Sequence, residues 1–250
     1  MDGDGSAGFS SNRILNILSD EDFASISSFL EEVEMPQGFV IARAEGPIEH
    51  VYFPSSGLGS VMVVGEGGRR AEAGMFGREG FAPLAAAVGD DRSIYEIVMQ
   101  AHGRGHRVAL RTFSKAVDAG STFAAVLTRF TNVFAAQVAY TALSNATDHV
   151  DQRLARWILM SHDRIDGDVI RITHDYIAVM LAVRRPGVTT SLHVLEGLHL
   201  IKSERGAVTV RDRSGLEAYA GKSYGRPEEE YERVLGTKAA GLCHVSNSES

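Results

Sequence analysis

The spacing of hydrophobic residues changes twice along this chain. Residues 14–34 carry apolar side chains at helical intervals, which predicts one helix with Asp20 as a candidate N-cap. From residue 39 to about residue 110, short alternating segments are separated by Gly-rich turns, which predicts an antiparallel sandwich or roll. Within that region, residues 76–89 are rich in Ala and predict one or two helical turns.

Residues 112–146 predict one long helix with two apolar stripes. Because one small domain cannot bury both stripes, we expect one of them to pack against the same helix of a second copy in a parallel homodimer. The stripe that we assign to this interface consists of Phe123, Leu127, Phe130, Phe134, Gln137 and Thr141. A helix buried wholly within its own subunit is the alternative, because the same spacing is ordinary in protein cores.

Residues 173–213 predict two short helices joined by a tight turn and followed by a Gly-tipped hairpin. Thr173 is a suitable N-cap for the first helix, and Pro186 fits the first turn of the second. The second helix has a buried stripe of Val188, Leu192 and Leu195. This order is that of a winged helix-turn-helix, which places its second helix in the major groove of DNA.

The opposite side of that second helix carries side chains suited to DNA. Arg184 and Arg185 lie at the positive end of the helix dipole, which costs about 0.3–1 kcal/mol each unless a polyanion docks there. Arg185 has the geometry to read a guanine, and a basic hairpin tip would contact phosphate. We expect DNA contacts from Arg184, Arg185, Thr189, Thr190, His193 and Arg205, with packing at the core edge as the alternative for His193.

The charge distribution is consistent with this assignment. The net charge is −7, and residues 1–148 carry 11 Lys and Arg against 18 Asp and Glu. Residues 169–213 reverse the balance, with 7 basic residues against 4 acidic ones. The positive charge therefore lies where phosphate neutralisation would require it.

Composition excludes several classes of site. Cys243 is the only cysteine, which excludes an internal disulfide, a thiolate zinc cage and a protein-ligated iron–sulfur cluster within one chain. There is no signal peptide and no apolar run of about 18 residues, so we expect a cytoplasmic protein without a membrane segment. Catalytic motifs are absent, and we expect no enzyme, no catalytic residues and no metal.

Together these stretches resemble the cyclic-AMP receptor protein / fumarate–nitrate regulator (Crp/Fnr) family of bacterial transcription factors, from about residue 14 to residue 224. The resemblance is carried by RLARWIL at 153–159, by residues 172–201, and in the β region by VYFPSSGLGSV, MFGREGFAPL and RSIYEIV. It implies an α+β fold. Residues 14–148 would form a β-roll of the cyclic-nucleotide-binding type with the dimerisation helix, and residues 149–225 the winged helix-turn-helix. Residues 1–13 and 226–250 are expected to be flexible tails.

The resemblance also implies an effector pocket. In nucleotide-binding relatives, a Glu after the first Gly of a turn holds the ribose, and an Arg-Ser pair binds the cyclic phosphate. The matching positions are Gly77, Arg78, Glu79, Gly80, Arg92 and Ser93. Because an Arg at the Glu position cannot accept a hydrogen bond from a ribose hydroxyl, we do not expect cyclic AMP to bind. A small anionic effector and a vestigial pocket are the two alternatives, and we expect no haem.

The resemblance implies a sequence-specific transcription regulator whose partners are double-stranded DNA, at a near-palindromic operator, and a second copy of the chain. Its half-sites would lie about 34–36 Å apart. Activation would also require contact with RNA polymerase. The alternatives are an effector-independent regulator controlled by abundance, a helix-turn-helix that serves a protein partner, and a cupin-like metal enzyme. The spacing of His102 and His106 does not favour the metal enzyme.

Overall fold

The computed structural model describes residues 11–119 and 122–236. An antiparallel β-roll is followed by a long helix and a winged helix-turn-helix, so the predicted α+β fold is confirmed. The strands of the roll are β1 (Glu31–Met35), β2 (Val40–Ala42), β3 (Gly46–Pro47), β4 (His50–Pro54), β5 (Leu58–Val64), β6 (Arg70–Phe76), β7 (Arg92–Ser93), β8 (Glu96–Ala101) and β9 (Gly103–Ala109).

The strands of the roll pair in the orders β1-β9-β4, β2-β8-β5-β6 and β3-β7, and all of these pairs are antiparallel. A 3-10 turn at Glu66–Gly68 joins β5 to β6. A second 3-10 turn at Leu84–Val88 falls within the segment for which the sequence predicts helical turns. The short segments between Gly-rich turns thus form the antiparallel strands, and the Ala-rich interruption is helical, as predicted.

The prediction of a single helix over residues 14–34 is wrong. Two short helices, α1 (Arg13–Asn16) and α2 (Asp20–Ser27), precede strand β1. Ser19 rather than Asp20 is the N-cap of α2, because its side chain accepts a hydrogen bond from the Asp22 amide. The helix ends before β1 because that strand pairs with β9, where Glu31 also forms a 3.0 Å ion pair with Arg107.

The long helix predicted at 112–146 is present as two elements, α3 (Leu110–Ala119) and α4 (Phe123–Thr147). The carboxylate of Asp22 accepts hydrogen bonds from the backbone and the hydroxyl of Thr122, and so connects α2 to the start of α4. These bonds lower the pKa of Asp22, and the Thr122 hydroxyl contributes most.

An aromatic cluster forms the centre of the roll. Phe81 lies 6.1 Å from Phe53, 6.4 Å from Phe113 and 5.4 Å from Phe130, measured between ring centroids. Gly80 allows α4 to approach this closely, because a Cβ atom at that position would lie 2.1 Å from the ring of Phe130. The long helix is therefore packed directly on the turn that follows β6.

The C-terminal part comprises α5 (Val150–His162), β10 (Val169–Ile170), α6 (His174–Met180), α7 (Arg185–Gly197), β11 (Ile201–Glu204), β12 (Ala207–Val210), α8 (Arg213–Ala220) and α9 (Arg226–Leu235), with a 3-10 turn at Gly221–Ser223. Its three strands form a small antiparallel sheet in the order β10-β12-β11. Among the residues that the structure describes, none of the helices has the length and apolarity that a membrane crossing requires.

Both predicted tails contain ordered residues. Asn12 is buried, caps α1 with its side chain, and donates to the carbonyls of Pro54 and Gly80 at 2.8 Å each. Residues 226–235 form α9 because their apolar side, with Tyr231 and Leu235 buried, packs against α4. The flexible-tail prediction is wrong for these residues, and its remainder, 1–10 and 237–250, lies outside the described residues.

Candidate nucleic-acid interface

The helix-turn-helix is built from local signals that the sequence carries. The hydroxyl of Thr173 accepts a hydrogen bond from the Tyr176 amide and so caps α6. Ala182 turns the chain with a positive φ of 51°, and Pro186 lies in the first turn of α7, where the missing N–H costs little. The apolar stripe of α7 is completely buried, as predicted, and consists of Val188, Leu192 and Leu195.

The predicted DNA-binding residues lie together on the outside of this unit. Along α7, Thr189 is half-buried, whereas the exposed positions are Arg184, Arg185, Thr190 and His193. Arg205 is exposed at the tip of the β11–β12 hairpin. An open cleft is lined by Arg185 and His193 on one side and by the hairpin tip on the other. The sequence-based assignment of these residues to DNA stays a prediction.

The cleft also contains acidic groups that sequence reasoning missed as parts of the site. Glu196 accepts a 2.9 Å hydrogen bond from the Ser203 amide and so joins α7 to the hairpin. Glu204 forms a 2.8 Å ion pair with Lys202, whose hydrogen bond lowers the pKa of that carboxyl. Asp175, which opens α6, lies 3.3 Å from Arg185.

The predicted effector residues are engaged in contacts within the chain. Arg78 forms a 2.5 Å ion pair with Asp166, and the Arg92 guanidinium donates to the Glu45 carbonyl at 2.8 Å. The buried hydroxyl of Ser93 donates to the Tyr95 carbonyl at 2.9 Å. The remaining polar side chain, Glu79, accepts from Arg164 at 2.8 Å and from the Gly77 amide at 3.1 Å.

A small cavity of about 30 Å³, part of it open to solvent, adjoins the Gly77–Gly80 turn. Its wall includes Arg78 and Glu79 from the turn, Phe130 from α4, Asp163 from the C-terminal part and Tyr231 from α9. Arg92 and Ser93 are not among the residues that line it. The structure therefore does not bring the predicted effector residues to one cavity.

The stripe that we assigned to a dimer interface faces the interior of its own subunit. Phe123, Leu127, Phe130, Phe134 and Gln137 are all buried in the single chain. The side-chain amide of Gln137 accepts from the Met75 amide at 2.7 Å and donates to the Met75 carbonyl at 3.1 Å. The hydroxyl of the sixth member, Thr141, accepts from Arg156. The assignment is wrong, because strand β6 and helix α9 already cover this side of α4.

The roll and the C-terminal part share a hydrophobic core. Met62 from the roll belongs to the same buried cluster as Trp157 and Met180 from the C-terminal part. Within this seam, the Glu72 carboxylate accepts a 3.0 Å hydrogen bond from the Trp157 indole and another from the Ser60 hydroxyl. Burial raises the pKa of Glu72 to about 7 despite these bonds.

We expect Glu72 to make stability depend on pH. Because its pKa is raised above the 4.5 of an exposed Glu, the folded protein holds this proton more tightly than the unfolded chain. The contribution is complete below about pH 4.5 and is lost as the pH rises through about 7. At about 1.4 kcal/mol per pKa unit, it amounts to about 3 kcal/mol.

The measurement is the free energy of unfolding of wild type and Glu72→Gln between about pH 5 and pH 8. The Gln side chain can still accept from Trp157, so the variant isolates the titration. A difference between the two proteins that does not change with pH would contradict the prediction.

Helix α9 also contacts the Gly77–Gly80 turn. The Tyr231 hydroxyl donates to the Glu79 carbonyl at 3.0 Å, and its ring meets Phe130 edge to face. Signals for this helix are present in the sequence, with Pro227 in the first turn and Gly236 at the C-terminal cap. The prediction of a flexible tail over residues 226–250 did not take these signals into account.

Comparison with known proteins agrees with this architecture. The family model of the Crp-like helix-turn-helix domain matches residues 152–219. No curated protein matches the chain in sequence. Within the described residues, no cluster of three or more His, Cys, Asp or Glu side chains is suited to a metal ion.

Several solved structures share the overall fold. A putative transcriptional regulator of the crp/fnr family from Eubacterium rectale is 19% identical, with a TM-score of 0.63, over 84% of this chain and 98% of its own. A CRP/FNR-family transcriptional regulator from Thermus thermophilus is 23% identical, with a TM-score of 0.62, over 77% and 100%. The c-di-GMP responsive global regulator CLP of Xanthomonas campestris is 14% identical, with a TM-score of 0.60, over 77% and 99%.

Proposed function

We propose that this chain, a Crp/Fnr-type transcription regulator by its helix-turn-helix domain and its fold, binds a near-palindromic operator as a homodimer. The observation that carries the proposal is the outward face of α7. Its apolar stripe is buried, whereas Arg184, Arg185 and Thr190 are exposed beside the β11–β12 hairpin. Cationic and hydroxyl groups on such a face suit phosphates and base edges in a major groove.

The outward face of α4 supports a homodimer. Its exposed residues alternate in steps of three and four, as in the contact seam of a coiled coil. They are Ala125, Thr128, Asn132, Ala135, Ala139, Ala142 and Ala146. Such small side chains permit close approach of a second α4, and Asn132 is the kind of polar residue that sets register in such seams. Two copies of α7 would then face one side of a duplex.

The function is tested by selecting bound sequences from random duplexes with the wild-type protein. We expect the selected sequences to contain two inverted half-sites with centres about 10 base pairs apart. Affinity for the selected duplex should fall steeply with salt, because phosphate contacts release counterions. Recovery of no preferred sequence at any salt concentration would refute a sequence-specific regulator.

Arg185→Ala is expected to weaken binding to the selected operator by about 5- to 150-fold, because a bidentate contact to guanine contributes about 1–3 kcal/mol. Preference at one base pair of each half-site should relax. Fluorescence anisotropy with the operator and with single-base variants measures both effects. Arg205→Ala serves as the matched control, because loss of a phosphate contact should weaken binding to all sequences alike. Unchanged affinity and preference would exclude this role for Arg185.

We infer that cyclic AMP is not the effector. The polar side chains of the predicted pocket already bind partners in the chain, and Arg78 takes the position of the ribose acceptor. Titration calorimetry with cyclic AMP and with cyclic di-GMP, to which the Xanthomonas regulator responds, would test nucleotide binding. Mass spectrometry of native protein purified from cells would detect another small anion. Contact with RNA polymerase stays a prediction.

A further inference from the structure

The first turn of α6 holds two of the side chains that the proposed function assigns to DNA. The Asp175 carboxylate lies 3.3 Å from Nε of Arg185. The neighbouring His174 places Nδ1 3.2 Å from the Thr189 hydroxyl. That hydroxyl also donates to the Arg185 carbonyl at 3.3 Å. Consecutive residues of α6 thus contact side chains one turn apart on α7.

The atom that Asp175 contacts is informative. A guanidinium presents five N–H donors in a rigid plane, and reading guanine O6 and N7 requires two of them at one edge. Because Asp175 pairs with Nε, the two terminal nitrogens of Arg185 stay available for a base. A side chain that is already oriented loses less rotamer freedom on binding, which favours the one base pair that fits.

Folding stability does not require this ion pair. The side chains of Arg185 and Asp175 are 63% and 68% exposed, and an ion pair at such a site contributes little to stability. A carboxylate beside a polyanion is also unfavourable for binding in general. A favourable position at the N-terminus of α6 accounts for an acid in this turn, but it does not account for contact with a base-reading Arg on another helix.

We propose that Asp175 is a positioning residue that aims Arg185 and thereby sets base selectivity, with His174 holding Thr189 in the same way. The proposal rests on the DNA-binding function proposed above. In this arrangement, Asp175 lowers affinity for DNA of any sequence and raises the preference for the correct base pair. Its removal should therefore move the two quantities in opposite directions.

Asp175→Ala tests this prediction on the operator selected by the wild-type protein. We expect the preference for the base pair read by Arg185 to fall by about three- to tenfold. Affinity for an unrelated duplex should rise roughly twofold, since one repulsive charge is removed. Fluorescence anisotropy on the operator, its single-base variants and an unrelated duplex gives all of these values, and thermal melting confirms that the variant is folded.

Glu204→Ala is the matched control, because it removes one negative charge from the same cleft without a contact to Arg185. It should raise non-specific affinity and leave base preference unchanged. In an Arg185→Ala background, Asp175→Ala should no longer alter preference. If Asp175→Ala and Glu204→Ala have the same effect on preference, the positioning role is refuted while DNA binding stands. If wild type binds no preferred sequence, the proposed function itself fails, and the inference fails with it.

Discussion

Ala139→Asp is expected to convert the proposed homodimer into monomers and to reduce operator affinity by about 100-fold or more. Ala139 lies on the exposed stripe of α4, which we propose as the seam between two subunits. A carboxylate there would face its symmetry mate in a dry contact, where an unpaired charge is costly. In the proposed complex one duplex binds two linked α7 helices, so loss of the dimer would also remove the gain of about 10²–10⁴ that bivalent binding provides.

Sedimentation equilibrium measures the association of the subunits, and anisotropy measures the affinity for the operator. Asn145→Asp adds the same charge at an exposed position of α4 outside the stripe, and it should leave both quantities near the wild-type values. The variant monomer should retain wild-type affinity for an isolated half-site. A stable Ala139→Asp dimer would place the interface on another surface.

Arg164→Met is expected to lower the free energy of unfolding by about 3–5 kcal/mol, because it leaves a buried carboxylate without its partner. The Arg164 side chain is 6% exposed and that of Glu79 is 13% exposed, with 2.8 Å between Nε and Oε1. Arg164 also donates to the Met160 carbonyl at 2.7 Å. This contact joins the Gly77–Gly80 turn of the roll to the end of α5. Its loss should therefore also weaken the attachment of the C-terminal part to the roll.

A double-mutant cycle measured by urea denaturation separates the pair from its surroundings. Glu79→Gln alone should also destabilise, whereas Glu79→Gln combined with Arg164→Met should cost clearly less than the sum of the single changes. Strict additivity of the two losses would show that the ion pair does not couple the domains. Limited proteolysis of residues 163–168 in the single variants would report the loosening directly.

Local signals in the sequence were sufficient to predict the elements of the winged helix-turn-helix. Thr173 caps α6, Pro186 opens α7 and Gly206 takes a positive φ at the hairpin tip, so each residue type matches the local backbone. Because these interactions join residues only a few positions apart, periodicity and turn chemistry identify them. The same reasoning identified the strands between residues 39 and 110, but it missed β1, which lies at the end of the segment predicted as a helix.

Packing between distant parts of the chain could not be predicted from such local signals. Periodicity showed two stripes on α4, but which of them faces the core depends on β6 and α9, which lie far away in sequence. The contact of Glu79 with Arg164 spans 85 positions. Nothing in the local sequence around either residue indicates that the other is its partner. Residues 226–235 were likewise predicted to be part of a flexible tail, because the burial of Pro227, Tyr231 and Leu235 depends on packing against α4, far away in sequence.

Trp157 is the only tryptophan in the chain, and its indole lies in the seam between the roll and the C-terminal part. The tryptophan emission of the unlabelled protein therefore reports on this one site. Opening of the seam would admit water to the indole and shift its emission to longer wavelength, whereas movements elsewhere would leave the spectrum unchanged. The molecule thus carries its own optical probe, with which the response to an effector or an operator can be followed in real time.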